Sequence, residues 1–483
     1  MKISESLKYF DLEPGNIIPL LVASIFLSLP AIVLGNNILY ALPVLITILL
    51  SLIYGERFII AVILITLFTL VGEFNASLRS VIHFVDFSLL GIFFLKRFGL
   101  NFSTYPRIPK SLVYFLLLYG FAFLLSSAMS KYPFAGIGIL AKQVAFFLIA
   151  YVFYSFIKDE GDVKNYFLSI IVVTFIFTTI FILTFISEGY DIISIMSKSR
   201  VRITALTGNI EAATNFYVIS FPLIISFLLY MKKSLRKTAG WFILFYSIIG
   251  LFLAMSRSAI LGIAVSTAIV FFMLKRKIFY QLLFSLLIIV LIFIVVDPLN
   301  EIVTQLFRLE EGVSFRDYLW LMAVNIIKDY PLFGLGPGAY PYEMLNYYPF
   351  MLNDYLGQVF IFFADVSVSV NLAHNIFLVF FSEMGILGLA TIIALPVIYF
   401  RIGIKTLIKY KNDISGKYYL IIALFAAGAS VIFRNIFNSI GLLYIGGIHT
   451  DLPFWLVFSS LIYFYRAPLS DGSAVNINQP AQS

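Results

Sequence analysis

The sequence predicts an all-α polytopic membrane protein of 12–14 transmembrane helices with one large, partly helical loop on the outer side. Three observations carry this. Of 483 residues, 61% are hydrophobic and 12% charged, against roughly 45–50% and about 25% in an average soluble domain. Apolar runs long enough to cross a bilayer recur from Ile17 to Phe464. The basic residues collect in alternate loops, as a fixed membrane orientation requires. Together these exclude a water-soluble enzyme, a disordered chain and a nucleic-acid-binding module; the net charge of +8 reflects basic cytoplasmic loops.

Candidate spans fall at 17–34, 38–54, 58–72, 81–95, 111–128, 137–157, 165–186, 212–231, 240–255, 258–274, 279–296, 375–400, 418–440 and 443–464. The first follows a short start carrying Lys2, Glu5, Lys8, Asp11 and Glu13 and reads as an uncleaved span. With the amino terminus inside, 22 of the 33 Lys and Arg residues become cytoplasmic, both termini with them. The chain then divides into transmembrane helices over 1–297, a large outer (periplasmic) loop over 298–373, C-terminal transmembrane helices over 374–466 and a flexible cytoplasmic tail over 467–483. A smaller outer loop spans 188–211. Within the large loop, Phe315–Lys328 has helical spacing, Tyr330–Gly338 is rich in turn formers, and Tyr340–Tyr355 is crowded with tyrosine and proline.

Cysteine is absent, which excludes thiolate chemistry, and His83, His374 and His449 lack metal-ligand spacing, so no metal and no cofactor are expected. The polar residues that need a reason are arginines on the outer side. Arg200 and Arg202 lie in the smaller loop, Arg257 in the tight turn Ala254–Ser258, Arg308, Arg316 and Lys328 in the large loop, and Arg434 near the outer end of a span. Positive-inside logic disfavours arginine there. A guanidinium fork matches phosphate oxygens and stays charged, so a diphosphate at the bilayer surface is the natural ligand. The alternative is that an arginine snorkels to headgroups or pairs with Glu188, Glu211, Asp317 or Asp365; Arg200 and Arg308 are read that way, whereas Arg257 and Arg434 are read as functional because ionisable groups in spans are costly. Lys142 is a weaker candidate of the same kind. His374 starts the span after the large loop, where an imidazole serves either as a helix-start hydrogen bonder or as a general base toward a hydroxyl. His83 and Asp86, one turn apart, read as a polar pair; Glu383 is read as an arginine's partner or a cavity-lining group.

These residues fall into a pattern. His374–Asn375, nine residues, then Gly385–Ile386–Leu387–Gly388 resembles the signature of bacterial O-antigen ligases. Arg257 followed by Leu261 resembles their Arg-x3-Leu element, Arg202 through Gly208–Asn209 their Arg…Gly-Asn stretch, and Arg316, Trp320 and Pro331–Gly336 their Arg…Trp…Pro-x-x-Gly-x-Gly segment. The resemblance covers about residues 200–390, in order. It departs where the family commonly has Asn-Pro-Asn: this chain has Asn209–Ile210–Glu211.

The resemblance implies a GT-C-like membrane glycosyltransferase in the bacterial inner membrane, acting on the periplasmic side. The donor would be a glycan on undecaprenyl diphosphate and the acceptor a hydroxyl of lipid A–core. His374, Arg257 and Arg316 would be catalytic, the imidazole as base and the guanidiniums against the leaving diphosphate, with inversion and without metal. Arg202, Asn209, Arg434, Lys142, Asn375 and Tyr340 would bind substrate, the tyrosine by stacking on sugar. A polysaccharide polymerase, whose acceptor is a second lipid-linked glycan, is the alternative within the superfamily. A lipid-linked oligosaccharide flippase is the alternative outside it, though the unusual polar residues cluster at one face and no repeated halves are seen.

Overall fold

The computed structural model describes residues 56–70, 76–99, 101–189, 209–232, 234–295, 316–347, 372–413, 416–443 and 446–468. The two candidate spans before residue 55, most of the loops 188–211 and 298–373, Arg202 and nearly all of the tail lie outside the described residues. The fold is all-α, and no strand occurs among the described residues.

In chain order the helices are α1 (Glu56–Thr69), α2 (Ala76–Phe98), α3 (Lys110–Met129), α4 (Pro133–Phe156), α5 (Glu160–Ser187), α6 (Ile210–Tyr230), α7 (Leu235–Ala254), α8 (Arg257–Leu274), α9 (Arg276–Val295), α10 (Arg316–Asp329), the single turn α11 (Tyr340–Glu343), α12 (Ile376–Tyr410), α13 (Lys417–Arg434) and α14 (Ile448–Arg466). Eight of them, α3–α8, α12 and α13, are long and apolar enough to cross a membrane. The chain is a multi-pass membrane protein. Of the span expected at 58–72, the described residues give α1 over Glu56–Thr69.

Local chemistry sets the helix starts. Asp159 caps α5 in a reciprocal capping box with Asp162. Asn209 caps α6, Ser234 α7, Ser256 α8 and Asn375 α12, each accepting a backbone N–H of the first turn. At the opposite end of the bundle, the α1 and α5 starts are tied by Arg57 to Asp159 and Asp162 and by Lys158 to Glu56 at 2.9 Å.

The most buried span is α6, wedged against α8 and α13. In a bilayer apolar burial does not distinguish helix neighbours from lipid, so packing and interhelical hydrogen bonds select partners. Thr174 bonds Ser220 at 2.7 Å, Thr178 bonds Tyr217 at 2.8 Å and Asn215 donates to the Thr450 carbonyl at 3.0 Å. α12 packs on α3, and α5 on α1 and α7.

Two boundaries differ from the hydropathy reading. The span expected at 375–400 continues to Tyr410, because Ile402, Gly403, Thr406, Leu407 and Tyr410 keep a buried helical stripe after the first charge, Arg401. The span expected at 418–440 ends at Arg434. The apolar residues after it form a buried irregular segment. Its backbone is satisfied by protein, as non-helical chain at membrane depth must be: Gly441 N–H donates to Asp451 at 3.1 Å, and Trp455 Nε1 donates to the Leu442 carbonyl at 3.0 Å.

Candidate active site

The loop-side ends of α6, α8, α10, α12 and α13 converge on one carboxylate, Glu211, in the first turn of α6. Its Oε2 accepts from the Arg434 guanidinium, from Ser258 Oγ at 3.0 Å, from Ser256 Oγ at 3.1 Å and from Asn438 Nδ2 at 3.2 Å. Its Oε1 lies 3.7 Å from Arg316 Nη2. Arg434 and Arg316 are the cations paired with this carboxylate.

Arg257 is the first residue of α8, and its neighbours Ser256 and Ser258 are the two hydroxyls on Glu211. The turn that presents it is tight: Met255 ends α7 in the left-handed conformation, φ 48°, and Ser256 at once caps α8. Arg257 is half-buried, and the Arg316 side chain retains 21% exposure.

Arg434 is different. It has no exposed surface, and its guanidinium bonds Ser258 at 3.2 Å, Asn215 at 3.4 Å, Thr214 at 2.8 Å and the Glu211 carbonyl at 3.0 Å besides the carboxylate. It therefore ties α6, α8 and α13 together and offers no surface to a diphosphate, contrary to the expectation from sequence.

His374 enters this site at the start of α12 with φ 46°, a conformation uncommon for a residue with a side chain and one that surrounding structure must hold. What holds it is visible on both sides. Asn375 caps α12 through Phe377 and Leu378 N–H at 3.0 and 3.1 Å, so its side chain is committed to the helix start. Ile376 N–H donates to the Asn435 carbonyl at 3.1 Å, next to Arg434.

The glycine-rich segment after α10 docks its backbone into a break in α12. Gly385 sits inside that helix at φ 63°, ψ −157°, a region essentially restricted to glycine. The break frees carbonyls: Ser382 accepts Leu335 N–H at 2.9 Å and Glu383 accepts Gly336 N–H at 2.8 Å. A Cβ on Gly385 would strike the Leu332 carbonyl, and one on Gly334 the Glu383 backbone. The Glu383 carboxylate accepts Tyr340 N–H at 3.3 Å, so this buried acid anchors the loop and is not an arginine's partner.

Tyr340 is fully buried, its hydroxyl donating to the Leu319 carbonyl at 2.8 Å. It has no open face for a sugar to stack on, which removes the basis for its expected role. The Tyr330–Gly338 turns and the Phe315–Lys328 helix are present as read, the helix as Arg316–Asp329. The loop is also pinned to the α3–α4 turn by Glu343, which accepts from Asn346 at 3.0 Å and Tyr132 at 3.0 Å and pairs with Lys131 at 3.5 Å. The Asn346 hydrogen bond first, then those from Tyr132 and Lys131 with the lysine's charge, hold the Glu343 carboxyl below the usual carboxylate range.

Lys142 is exposed on α4, its backbone packed against Gly446, and is not among the groups that touch Glu211. Asn209 stands at the site as the α6 cap, accepting Glu211 N–H at 2.9 Å. His83 and Asp86 do form a pair, Nδ1 to Oδ2 at 3.7 Å, on α2. An apolar cavity of about 390 Å³ lies between α3, α4 and α14, with Tyr119, Gln143, Phe147 and Trp455 in its wall. Tyr119 and Gln143 also line a smaller cavity shared with Leu372, Ile376, Glu383 and Ser439. Among the described residues, no three or more His, Cys, Asp or Glu side chains gather as a metal site would need.

Sequence reasoning missed Glu211 as the hub. The signal available was an acidic residue where the resembling family has an asparagine, at the outer start of a span rich in arginine neighbours.

Residues 242–393 match the O-antigen ligase family. The matched segment runs from α7 into α12 and contains Arg257, Arg316, His374 and the Gly385 break, while Glu211 and Arg434 lie outside it. The resemblance to the O-antigen ligase superfamily is borne out over these residues. The match supports ligase-type and polymerase-type activity alike, and with either a membrane glycosyltransferase-like enzyme. A comparison with curated proteins finds no match.

Proposed function

We propose that the protein is an O-antigen ligase of the bacterial inner membrane, transferring a glycan from undecaprenyl diphosphate to a hydroxyl of lipid A–core on the periplasmic side, with both termini cytoplasmic. The observation that carries this reading is that Arg316 and the turn carrying Arg257 meet at Glu211, with the His374 end of α12 bonded to the residue after Arg434, inside a segment similar to that family.

In this reading His374 takes the proton of the acceptor hydroxyl, and the oxygen attacks the anomeric carbon. The bond from that carbon to the diphosphate oxygen breaks, and undecaprenyl diphosphate leaves with the electron pair. One displacement inverts the centre. The leaving group gains negative charge, and Arg257 and Arg316, with Arg202 next, stabilise it as preorganised donors in place of a metal. The cavity between α3, α4 and α14 suits the polyprenyl chain, since its wall is almost wholly apolar.

The test is transfer by the purified protein in detergent, supplied with undecaprenyl-diphosphate glycan and either lipid A–core or further donor. Glycan joined to lipid A–core supports the ligase; lengthened lipid-linked glycan instead makes it a polymerase. No joining with either acceptor removes the glycosyltransferase reading and leaves a flippase. His374→Ala is expected to abolish transfer in a protein that still folds, and transfer near the wild-type rate would remove the imidazole from its role.

A further inference from the structure

We propose that Tyr132 and Tyr342 form a sugar-binding platform on the loop that follows α10, where the apolar face of a pyranose ring stacks on the paired aromatic rings. The proposal rests on the reading of a glycan as the substrate and gives that glycan a contact away from the reacting carbon.

The central observation is a pair of rings that is exposed yet fixed. Their centroids lie 5.5 Å apart, with planes tilted by 35°. Tyr342 is 67% exposed and Tyr132 37%, whereas Tyr340 in the same turn is fully buried. Tyr132 is held twice: its hydroxyl donates to Glu343 Oε1 at 3.0 Å, and its backbone N–H donates to Ser130 Oγ at 2.9 Å. Ser130 Oγ in turn donates to the Leu335 carbonyl at 2.7 Å, and Tyr342 N–H to the Ala339 carbonyl at 3.1 Å. An aromatic ring already held in place loses little freedom when a ligand lies on it, which is why tyrosine serves recognition surfaces well.

The polar groups beside the rings select the occupant. The Glu343 carboxylate pairs with Lys131 at 3.5 Å, so the two charges offset each other and the patch favours neither an anion nor a cation. A pyranose presents an apolar C–H face within a rim of hydroxyls. Two rings bordered by the Asn346 amide and by Lys131, whose side chain stays 61% exposed, meet both parts. The placement agrees. The Tyr340 hydroxyl bonds the Leu319 carbonyl at 2.8 Å, one turn along α10 from Arg316. The turn carrying Tyr342 is thereby brought back to the start of α10, the end at which Arg316 meets Glu211. A tyrosine that only faces lipid headgroups requires neither a partner ring nor a carboxylate under its hydroxyl. Donor glycan and acceptor core both offer pyranose faces, and the experiment separates them.

The experiment is a saturation-transfer NMR titration of the full-length protein in detergent, for wild type, Tyr342→Phe and Tyr342→Ala. The two probes are the glycan freed by mild acid from undecaprenyl diphosphate and the core oligosaccharide freed from lipid A in the same way. Wild type is expected to bind at least one probe, with the strongest transfer to sugar C–H protons when aromatic protons are irradiated. Tyr342→Phe keeps the ring and should hold the affinity within about 2-fold. Tyr342→Ala should weaken it about 3- to 10-fold, the worth of one aromatic contact, while unfolding at the wild-type temperature, since so exposed a ring supports little of the fold. The probe that loses affinity tells whether donor or acceptor sugar lies on the platform. No binding of either probe by wild type overturns the proposal and leaves the tyrosines as interfacial aromatics. Affinity within about 2-fold of wild type in Tyr342→Ala, or an equal loss in Tyr342→Phe, overturns it as well. The titration requires no turnover, so binding that is lost in Tyr342→Ala by a protein that joins no glycan supports the platform and refutes the transferase reading alone.

Discussion

Replacing Arg434 by alanine separates architecture from chemistry at this site. The side chain has no exposed surface and bonds five groups on two neighbouring helices: Glu211 by side chain and carbonyl, Thr214 and Asn215 on α6, and Ser258 on α8. Truncation leaves the Glu211 carboxylate, itself 16% exposed, with three neutral donors and, of its two guanidiniums, only Arg316 at 3.7 Å. Removing one member of a buried pair costs about 3–5 kcal/mol, because the surviving charge is stranded. The cavity left by the side chain adds to this. Thermal unfolding in detergent, followed by the fluorescence of the three tryptophans, is expected to show a midpoint several degrees below wild type. Arg434→Met with Glu211→Gln should recover most of the loss, since a neutral pair strands nothing. If Arg434→Ala unfolds within a degree of wild type yet fails to bind donor, the argument fails, and this arginine belongs with the diphosphate after all.

Three further outcomes follow from the same geometry. Arg257→Lys should lower kcat/KM for the polyprenyl-diphosphate donor by at least about 10-fold in transfer assays, because an ammonium cannot reproduce the fork; full activity with lysine would remove this residue from the diphosphate. Gly385→Ala places a Cβ against the Leu332 carbonyl at a backbone conformation restricted to glycine, costs about 1–3 kcal/mol in backbone strain alone, and should release the 330–343 loop to faster hydrogen exchange. Acidification should free the same loop from the α3–α4 turn. Glu343 titrates below its ordinary value when folded, so its contribution is complete above the normal carboxylate range and is lost as pH falls through the depressed value; hydrogen exchange at 340–347 should rise on that descent and stay flat in Glu343→Gln.

Much of the bundle was legible because a bilayer admits few solutions for backbone polar groups. An apolar run bounded by Asp159 or Asn209 reads as a helix with its start marked, and the structure begins α5 and α6 at those residues. The errors have one source. Hydropathy averages over side chains and is blind to where backbone hydrogen bonds go. It therefore ended α12 before Arg401, where the buried stripe continues, and ran α13 through Asn435–Ile440, where the helix has stopped and the chain turns into Gly441 and Leu442, whose backbone is satisfied by Asp451 and Trp455.

The site was legible in membership more than in division of labour. That Arg257, Arg316 and His374 share one end of the bundle follows from their positions at loop–span junctions, and charge at such junctions needs a partner or a ligand. Which it has depends on contacts between residues more than 200 apart, as for Arg434 with Glu211, and no local pattern encodes those. Burial decides between the two roles. Arg434 is enclosed on every side and must be neutralised by the protein, whereas Arg316 keeps a fifth of its side chain exposed at 3.7 Å from its carboxylate. Of the two, Arg316 keeps surface that an incoming ligand can meet, whereas the buried Arg434 is spent on the protein.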